Sequence, residues 1–261
     1  MSGFAALLRR DRFILCGGLM AVAVVAWAYL LYEAQRMNVS GVCECLRMRI
    51  GGADHSTWPA TTLVPLFFMW SVMMVAMMLP TAVPMVLTFG AVTNHRRHLG
   101  RPYVPTIIFV CGYLAVWVVF SVMAAVAQWL LHRHALLSES MTTTSAVLGG
   151  ALLIVAGIFQ FTPLKHRCLT RCRGTLEFIL TRWREGRSAA FRMGLEHGVF
   201  CTGCCWALMA LLFVTGVMNM YWVAGLMIFV CLEKILPARA RLNLASGVAL
   251  VIWGLLILSL H

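Results

Sequence analysis

Long apolar segments are the feature that most constrains how this chain can fold. A helix needs about 20 mostly apolar residues to cross a bilayer, and seven runs reach or approach that length. They cover residues 13–32, 63–91, 105–131, 144–161, 194–218, 221–236 and 243–260. With 61% hydrophobic and 11% charged residues, the sequence predicts an all-α, polytopic transmembrane helix bundle that forms a single membrane domain over residues 1–261. About seven helices are expected, and six remain possible because only Asn219 and Met220 separate the fifth and sixth runs.

The basic residues indicate orientation in a membrane rather than an acidic partner. The formal net charge is +12, a value that on its own would allow binding to nucleic acid. Most Lys and Arg residues, however, lie in alternate connections between the predicted spans. The positive-inside rule therefore predicts a cytoplasmic N-terminus, a basic cytoplasmic loop at 162–193 and an extracytoplasmic loop at 33–62. We expect a bacterial inner-membrane location, a first span that is retained because it lacks a cleavage motif, and no nucleic-acid partner.

The fifth apolar run carries an imidazole and several thiols, which are rare inside a bilayer helix. Cys201, Cys204 and Cys205 follow His197 by four, seven and eight residues, so a helix places all four on one face. Met209 extends the same face. Thiolate, imidazole and thioether form a soft ligand set, which suits copper(I), or zinc through His and Cys alone, better than magnesium or calcium. The alternative for any single cysteine is that it packs as a small apolar residue.

The second apolar run carries two pairs of methionines spaced one helical turn apart. Met73 lies over Met77 and Met74 over Met78. Pro80 and Pro84 follow, and their missing N–H groups should kink the helix and open backbone carbonyls toward a cavity or a neighbour. If the second and fifth helices are neighbours, the thioethers and thiols share one depth and form a mixed sulfur site. The alternative is that these methionines are flexible core filler.

Two further candidate groups lie toward the predicted cytoplasmic side. Glu233, followed by Lys234, should come level with His197. Its carboxylate could orient the imidazole or bind a cation, or it could pair with Lys234 or a loop arginine. In the basic loop, arginines next to Cys168 and Cys172 favour the thiolate and hence metal capture. The basic amphipathic stretch there could instead lie on anionic lipid.

The predicted outer side also carries potential ligands. Cys43, Cys45 and His55 lie in the outer loop, and His132 and His134 precede the next outer turn. They could receive metal from outside, or the two cysteines could form disulfides with other cysteines in an oxidising compartment. The alternative for the three histidines is ordinary solvent exposure.

Several of these motifs together resemble those of a known bacterial family. They are Trp70 with the methionine run, the loop from Cys168 to Arg173, the Gly-Cys-Cys-Trp block at 203–206, and Glu233-Lys234, and the similarity runs from about residue 58 onward. The chain resembles bacterial proteins described as predicted metal-binding integral membrane proteins, a domain-of-unknown-function family. The resemblance implies membrane location and metal binding, with His197, Cys201, Cys204 and Cys205 as ligands and the second-run methionines as further ligands.

Together these observations predict a protein that binds or translocates copper(I). The outer loop would admit the metal, the Met and Cys groups would carry it, and Cys168 and Cys172 would receive or release it inside. No Gly-x-x-x-x-Gly-Lys motif is present, so transport would not be driven by a P-loop ATPase. The alternative is a subunit or assembly factor of a membrane metalloenzyme that uses copper or haem. Only His197 lies inside a span, which argues against haem and against an enzyme, and a metalloenzyme or metallochaperone is the expected partner.

Overall fold

The computed structural model describes residues 2–48, 60–100, 102, 104–134, 145–236 and 239–260, with the side chains of 2–12, 37–48 and 239–240 left aside. Within these residues the secondary structure is helical and contains no strand, which confirms the all-α prediction. The helices are α1 (Ser2–Met48), α2 (Leu63–His98), α3 (Thr106–Arg133), α4 (Ala146–Phe161), α5 (Pro163–Arg173), α6 (Thr175–Arg182), α7 (Arg187–Ala210), α8 (Leu212–Thr215), α9 (Met220–Ile235) and α10 (Arg239–Ser259).

Five segments among the described residues are long and apolar enough to cross a membrane. They are Phe13–Arg36, Ala60–His98, Thr106–Arg133, Arg187–Thr215 and Arg241–Ser259. The pair α4 and α5, bent by 65°, would make a sixth as a broken span or a re-entrant loop. The predicted span at 221–236 corresponds to α9, whose 16 residues are fewer than the roughly 20 that a perpendicular crossing needs. Helix α1 continues to Met48, into the segment expected to be an outer loop.

The segment 162–193 contains α5, α6 and the start of α7. Thr162 ends α4 and starts α5, because its extended backbone breaks the first helix and its hydroxyl accepts the Lys165 backbone N–H at 3.3 Å. Proline at the first position of α5 suits a helix start. The buried residues of α5, Lys165, Leu169 and Cys172, fall on one face, and α5 packs along α7. Part of the predicted loop is therefore interior.

Pro80 creates a link between α1 and α2. A proline cannot donate to the carbonyl four residues earlier, which here is that of Ala76. The Trp27 indole on α1 donates to the Ala76 oxygen at 3.2 Å. The expected carbonyl release therefore occurs without a break in α2, which stays helical from Leu63 to His98.

Trp27→Phe is expected to lower the free energy of unfolding in detergent by about 1 kcal/mol, because the Ala76 carbonyl loses its donor. Chemical unfolding followed by circular dichroism measures the change. Pro80→Ala restores a backbone N–H at the right position, so the same Trp27 substitution made in that background should cost less. An equal cost in both backgrounds would contradict this assignment.

Helices α3 and α7 approach each other at glycines. An added Cβ on Gly112 would lie 2.1 Å from the Phe191 carbonyl oxygen, and one on Gly194 would lie 2.1 Å from that of Phe109. Gly198, one turn after Gly194, also faces α3. Small residues at this spacing let two backbones pack closely where no side chain would fit.

The mixed sulfur site was conditional on contact between the second and fifth apolar helices. The main contacts of α2 are with α1, α3, α9 and α6, and both α3 and α9 also contact α7. Side chains of α3 and α9 therefore connect the methionine helix to the thiol helix. The core contains all of the methionines of the two pairs, together with the aromatic side chains of α3.

Candidate metal centre

Four thiols from two helices meet in the interior. Cys201, Cys204 and Cys205 on α7 are buried, and so is Cys172 on α5. The Cys172 thiol lies close enough to those of Cys201 and Cys204 to interact with them, and all four are free cysteines. We call these residues the thiol cluster. On α7 the spacing of three and four residues produces it, and on α5 the bend at Thr162 brings Cys172 to it.

Cys201 is the centre of the cluster. Its carbonyl oxygen accepts the thiols of Cys204 at 3.1 Å and Cys205 at 3.0 Å. Its own sulfur contacts the Tyr113 hydroxyl at 3.2 Å and the Lys234 ammonium at 3.1 Å. Two polar groups from α3 and α9 thus converge on one sulfur atom.

Tyr113 and Lys234 also attach this sulfur to α2. The Tyr113 hydroxyl donates to the Met78 carbonyl oxygen at 3.0 Å, and the Lys234 ammonium donates to the Thr81 hydroxyl at 2.6 Å. Helix α2 is therefore linked to the thiols through the Met78 backbone carbonyl and the Thr81 hydroxyl, and its thioethers take no part in this link.

His197 lies one turn before Cys201 in an aromatic surround. Its ring stacks on Tyr113 with centroids 5.6 Å apart and lies within 6.1 Å of the rings of Phe109 and Phe178. The side chain is buried, and in the described part of the chain its Nδ1 has no hydrogen-bond partner. A buried nitrogen left in this way retains its capacity to bind a proton or a metal.

The His197 Nδ1 has no hydrogen-bond partner among the described residues, and Glu233 pairs with Lys165. Its carboxylate accepts the Lys165 ammonium at 2.7 Å, and both side chains are buried, with relative exposures of 1% and 0%. The pair joins α5 to α9, the helices that carry Cys172 and Lys234. A carboxylate that satisfies a buried ammonium is less free to bind a cation.

The other predicted ligands lie around the cluster or apart from it. Met73, Met74, Met77, Met78 and Met209 are fully buried core side chains. Cys168 is half-buried, packs toward Gly203, and borders an open groove of about 700 Å³. His132 and His134 end α3, while the side chains of Cys43 and Cys45, and all of His55, lie outside the described residues.

Sequence reasoning missed the roles of Lys165, Lys234 and Tyr113. One feature of the sequence could have identified two of them, because Lys165 and Lys234 are the only lysines among 21 basic residues. Lysine is a compact charge with three donors, whereas the remaining basic residues are arginines. Lys165 is fully buried, and Lys234 is partly buried.

A cavity of about 260 Å³ reaches the cluster from one side. Its lining includes Thr81, Cys172, Arg173, His197 and Lys234. A small ion or molecule in this cavity would meet a thiol, the buried imidazole nitrogen and the ammonium group.

The thiols are not preorganised as a closed metal site. Among the described residues, no three His, Cys, Asp or Glu side chains are arranged so that they could hold a metal ion. Two of the thiols instead turn toward the Cys201 carbonyl. Thiolates are ligands for soft cations such as copper(I), and a two-thiolate site requires only a pair of these sulfurs to rotate together.

Comparison with known proteins identifies the family. A family model described as PpoB2, copper chaperone, matches residues 67–257. No curated protein and no solved structure shows significant similarity to the chain. The match covers most of the chain, from α2 to α10, and includes every described residue of the thiol cluster. The chain therefore belongs to the copper chaperone family.

Proposed function

We propose that this copper chaperone family member is a membrane-embedded protein that binds copper(I) at the thiol cluster and passes it to a copper-using enzyme. The observation that carries the proposal is the meeting of Cys172 with Cys201 and Cys204 across α5 and α7. Soft cations prefer thiolates, and two helices that each supply a thiol can bind or release an ion by a small relative movement.

Burial of the cluster supports transient binding that excludes water. Cys201 and Cys205 have no exposed surface, and Cys204 is 1% exposed. Copper(I) held there is shielded from oxidants in the solvent. The cavity beside Cys172 and Lys234 is the proposed entry and exit.

Transfer would occur by exchange of thiolate ligands. On release, an incoming thiol of the acceptor loses its proton and bonds to copper(I) as one bond to a cluster thiolate breaks, and the released thiolate takes up that proton. Loading from a donor is the reverse exchange, in which a cluster thiol replaces a donor thiolate. The metal stays copper(I), so the step needs neither oxidant nor reductant. His197 and the core methionines would be secondary ligands along the path.

The proposed setting is the bacterial inner membrane with the N-terminus in the cytoplasm. The five long apolar helices are compatible with that setting, and the distribution of arginines supports this orientation. Delivery to an enzyme is favoured over translocation across the membrane because the family is one of chaperones. Resistance of the protein to extraction from membranes by alkaline carbonate would test membrane embedding.

Cys172→Ser is expected to lower copper(I) affinity by at least about tenfold, because it removes the ligand contributed by α5. Cys168→Ser is the matched control, since it makes the same change one turn earlier on the same helix at a half-buried thiol outside the cluster. Competition with a chromogenic copper(I) chelator, on reduced protein in detergent, gives both affinities. Equal affinities in the two variants, or no copper bound by wild type, would overturn the proposal.

A further inference from the structure

We propose that Lys234 is the residue that makes the thiol cluster selective for a monovalent soft cation. This inference rests on the proposed function and concerns which metal the same site prefers. The ammonium lies 3.1 Å from the Cys201 sulfur and 2.6 Å from the Thr81 hydroxyl, so it is fixed in place by two contacts.

The positive charge of Lys234 is directed toward the cluster. Its neighbour in sequence, Glu233, is paired with Lys165 at 2.7 Å, and those two opposite charges cancel. The Lys234 ammonium contacts the Cys201 sulfur and lines the same cavity as Cys172. Arg173, which borders the same cavity, instead donates to the Ile235 carbonyl at 3.4 Å. Of these charges, the Lys234 ammonium is the one that contacts a cluster sulfur directly.

Charge balance then distinguishes the metals. Copper(I) bound by two thiolates has a net charge of minus one, which the adjacent ammonium offsets. Zinc(II) on the same two thiolates is neutral, so the ammonium leaves a net charge of plus one. Unpaired buried charge is costly. A third thiolate would neutralise the zinc assembly, so the expected preference for copper(I) applies to a site of two thiolates.

A lysine suits this role better than an arginine would. Its ammonium is a compact charge that can reach a hydroxyl and a sulfur on different helices at once, and its flexible stem allows it to follow the sulfur when a metal binds. Because only Lys165 and Lys234 are lysines in this sequence, a neutral substitution at position 234 changes the charge of the site without a second lysine replacing it.

The test compares the effect of one substitution on four cations. In Lys234→Met, affinity for copper(I) and silver(I) should fall by about tenfold or more, while affinity for zinc(II) and cadmium(II) should rise or fall much less. Lys234→Arg should keep most of the preference for monovalent ions. Lys165→Met/Glu233→Met is the matched control, because it removes a buried lysine with its counter-ion and leaves the net charge and the Cys201 contacts unchanged.

The outcomes separate this inference from the proposed function. If wild type binds no copper(I), the function fails. If wild type binds copper(I) but Lys234→Met weakens all four cations equally, Lys234 is only structural and the inference fails. Should the neutral variant not fold, X-ray absorption on copper-loaded wild type decides. The charge balance requires that copper is bound by two sulfur ligands. A coordination by three or four sulfurs would overturn the inference.

Discussion

Glu233→Leu is expected to lower the free energy of unfolding by about 3–5 kcal/mol, because it leaves the Lys165 ammonium buried without a counter-ion. Both side chains are at most 1% exposed, and their contact is 2.7 Å. Lys165→Met should cost a similar amount. Chemical unfolding in detergent, followed by circular dichroism, measures both. Glu185→Gln is the control, because it breaks an exposed ion pair with Arg96 and should cost less than about 1 kcal/mol.

The double variant Lys165→Met/Glu233→Met distinguishes a broken ion pair from simple loss of packing. Apolar side chains of similar length can replace a buried ion pair at little cost, so the double variant should be more stable than either single variant. The pair also joins α5 to α9. Stability losses that simply add would contradict the ion-pair account.

The helical class and the thiol stripe could be predicted from the sequence because both are local properties. Hydropathy over about 20 residues indicates the long helices, and a spacing of three or four residues indicates one helix face. The shared helix face of Cys201, Cys204 and Cys205 could therefore be predicted without knowledge of the tertiary structure. The Thr162-Pro163 pair is also a local helix-start pattern, and it marks the start of α5 inside the expected loop.

The completed cluster could not be predicted because its remaining members come from other helices. Cys172 reaches the thiols only because α5 folds back along α7, and Lys234 and Tyr113 arrive from α9 and α3. Glu233 was expected either to orient His197 or bind a cation, or to pair with Lys234 or a loop arginine. It pairs with Lys165, which lies 68 positions earlier in the chain. Such pairings depend on how helices pack, which apolar periodicity does not specify.

For the methionine pairs, too, burial could be predicted from the local sequence, whereas the neighbouring residues could not. Their burial follows from the apolar sequence of α2, and the structure buries all four side chains. Their proximity to the thiols depended on the assumption that α2 and α7 pack together. Tyr113 and Lys234 make the connection instead, through the Met78 carbonyl and the Thr81 hydroxyl.

Gly194→Ala is expected to lower the free energy of unfolding by about 3 kcal/mol or more, because the new methyl group has no room between α3 and α7. Its carbon would lie 2.1 Å from the Phe109 carbonyl oxygen, and a backbone atom cannot move aside as a flexible side chain can. Gly225→Ala on α9 is the matched control. An added Cβ there meets nothing within 4 Å, so alanine should stabilise the helix by up to about 1 kcal/mol.

The same substitution should also weaken copper binding if the glycine contact positions the site. Separation of α3 from α7 moves the Tyr113 hydroxyl away from the Cys201 sulfur, which it now contacts at 3.2 Å. Folded Gly194→Ala protein, selected by size-exclusion chromatography, should therefore bind copper(I) more weakly than Gly225→Ala. Equal copper affinity in two variants of clearly different stability would show that the close crossing stabilises the fold without organising the thiols.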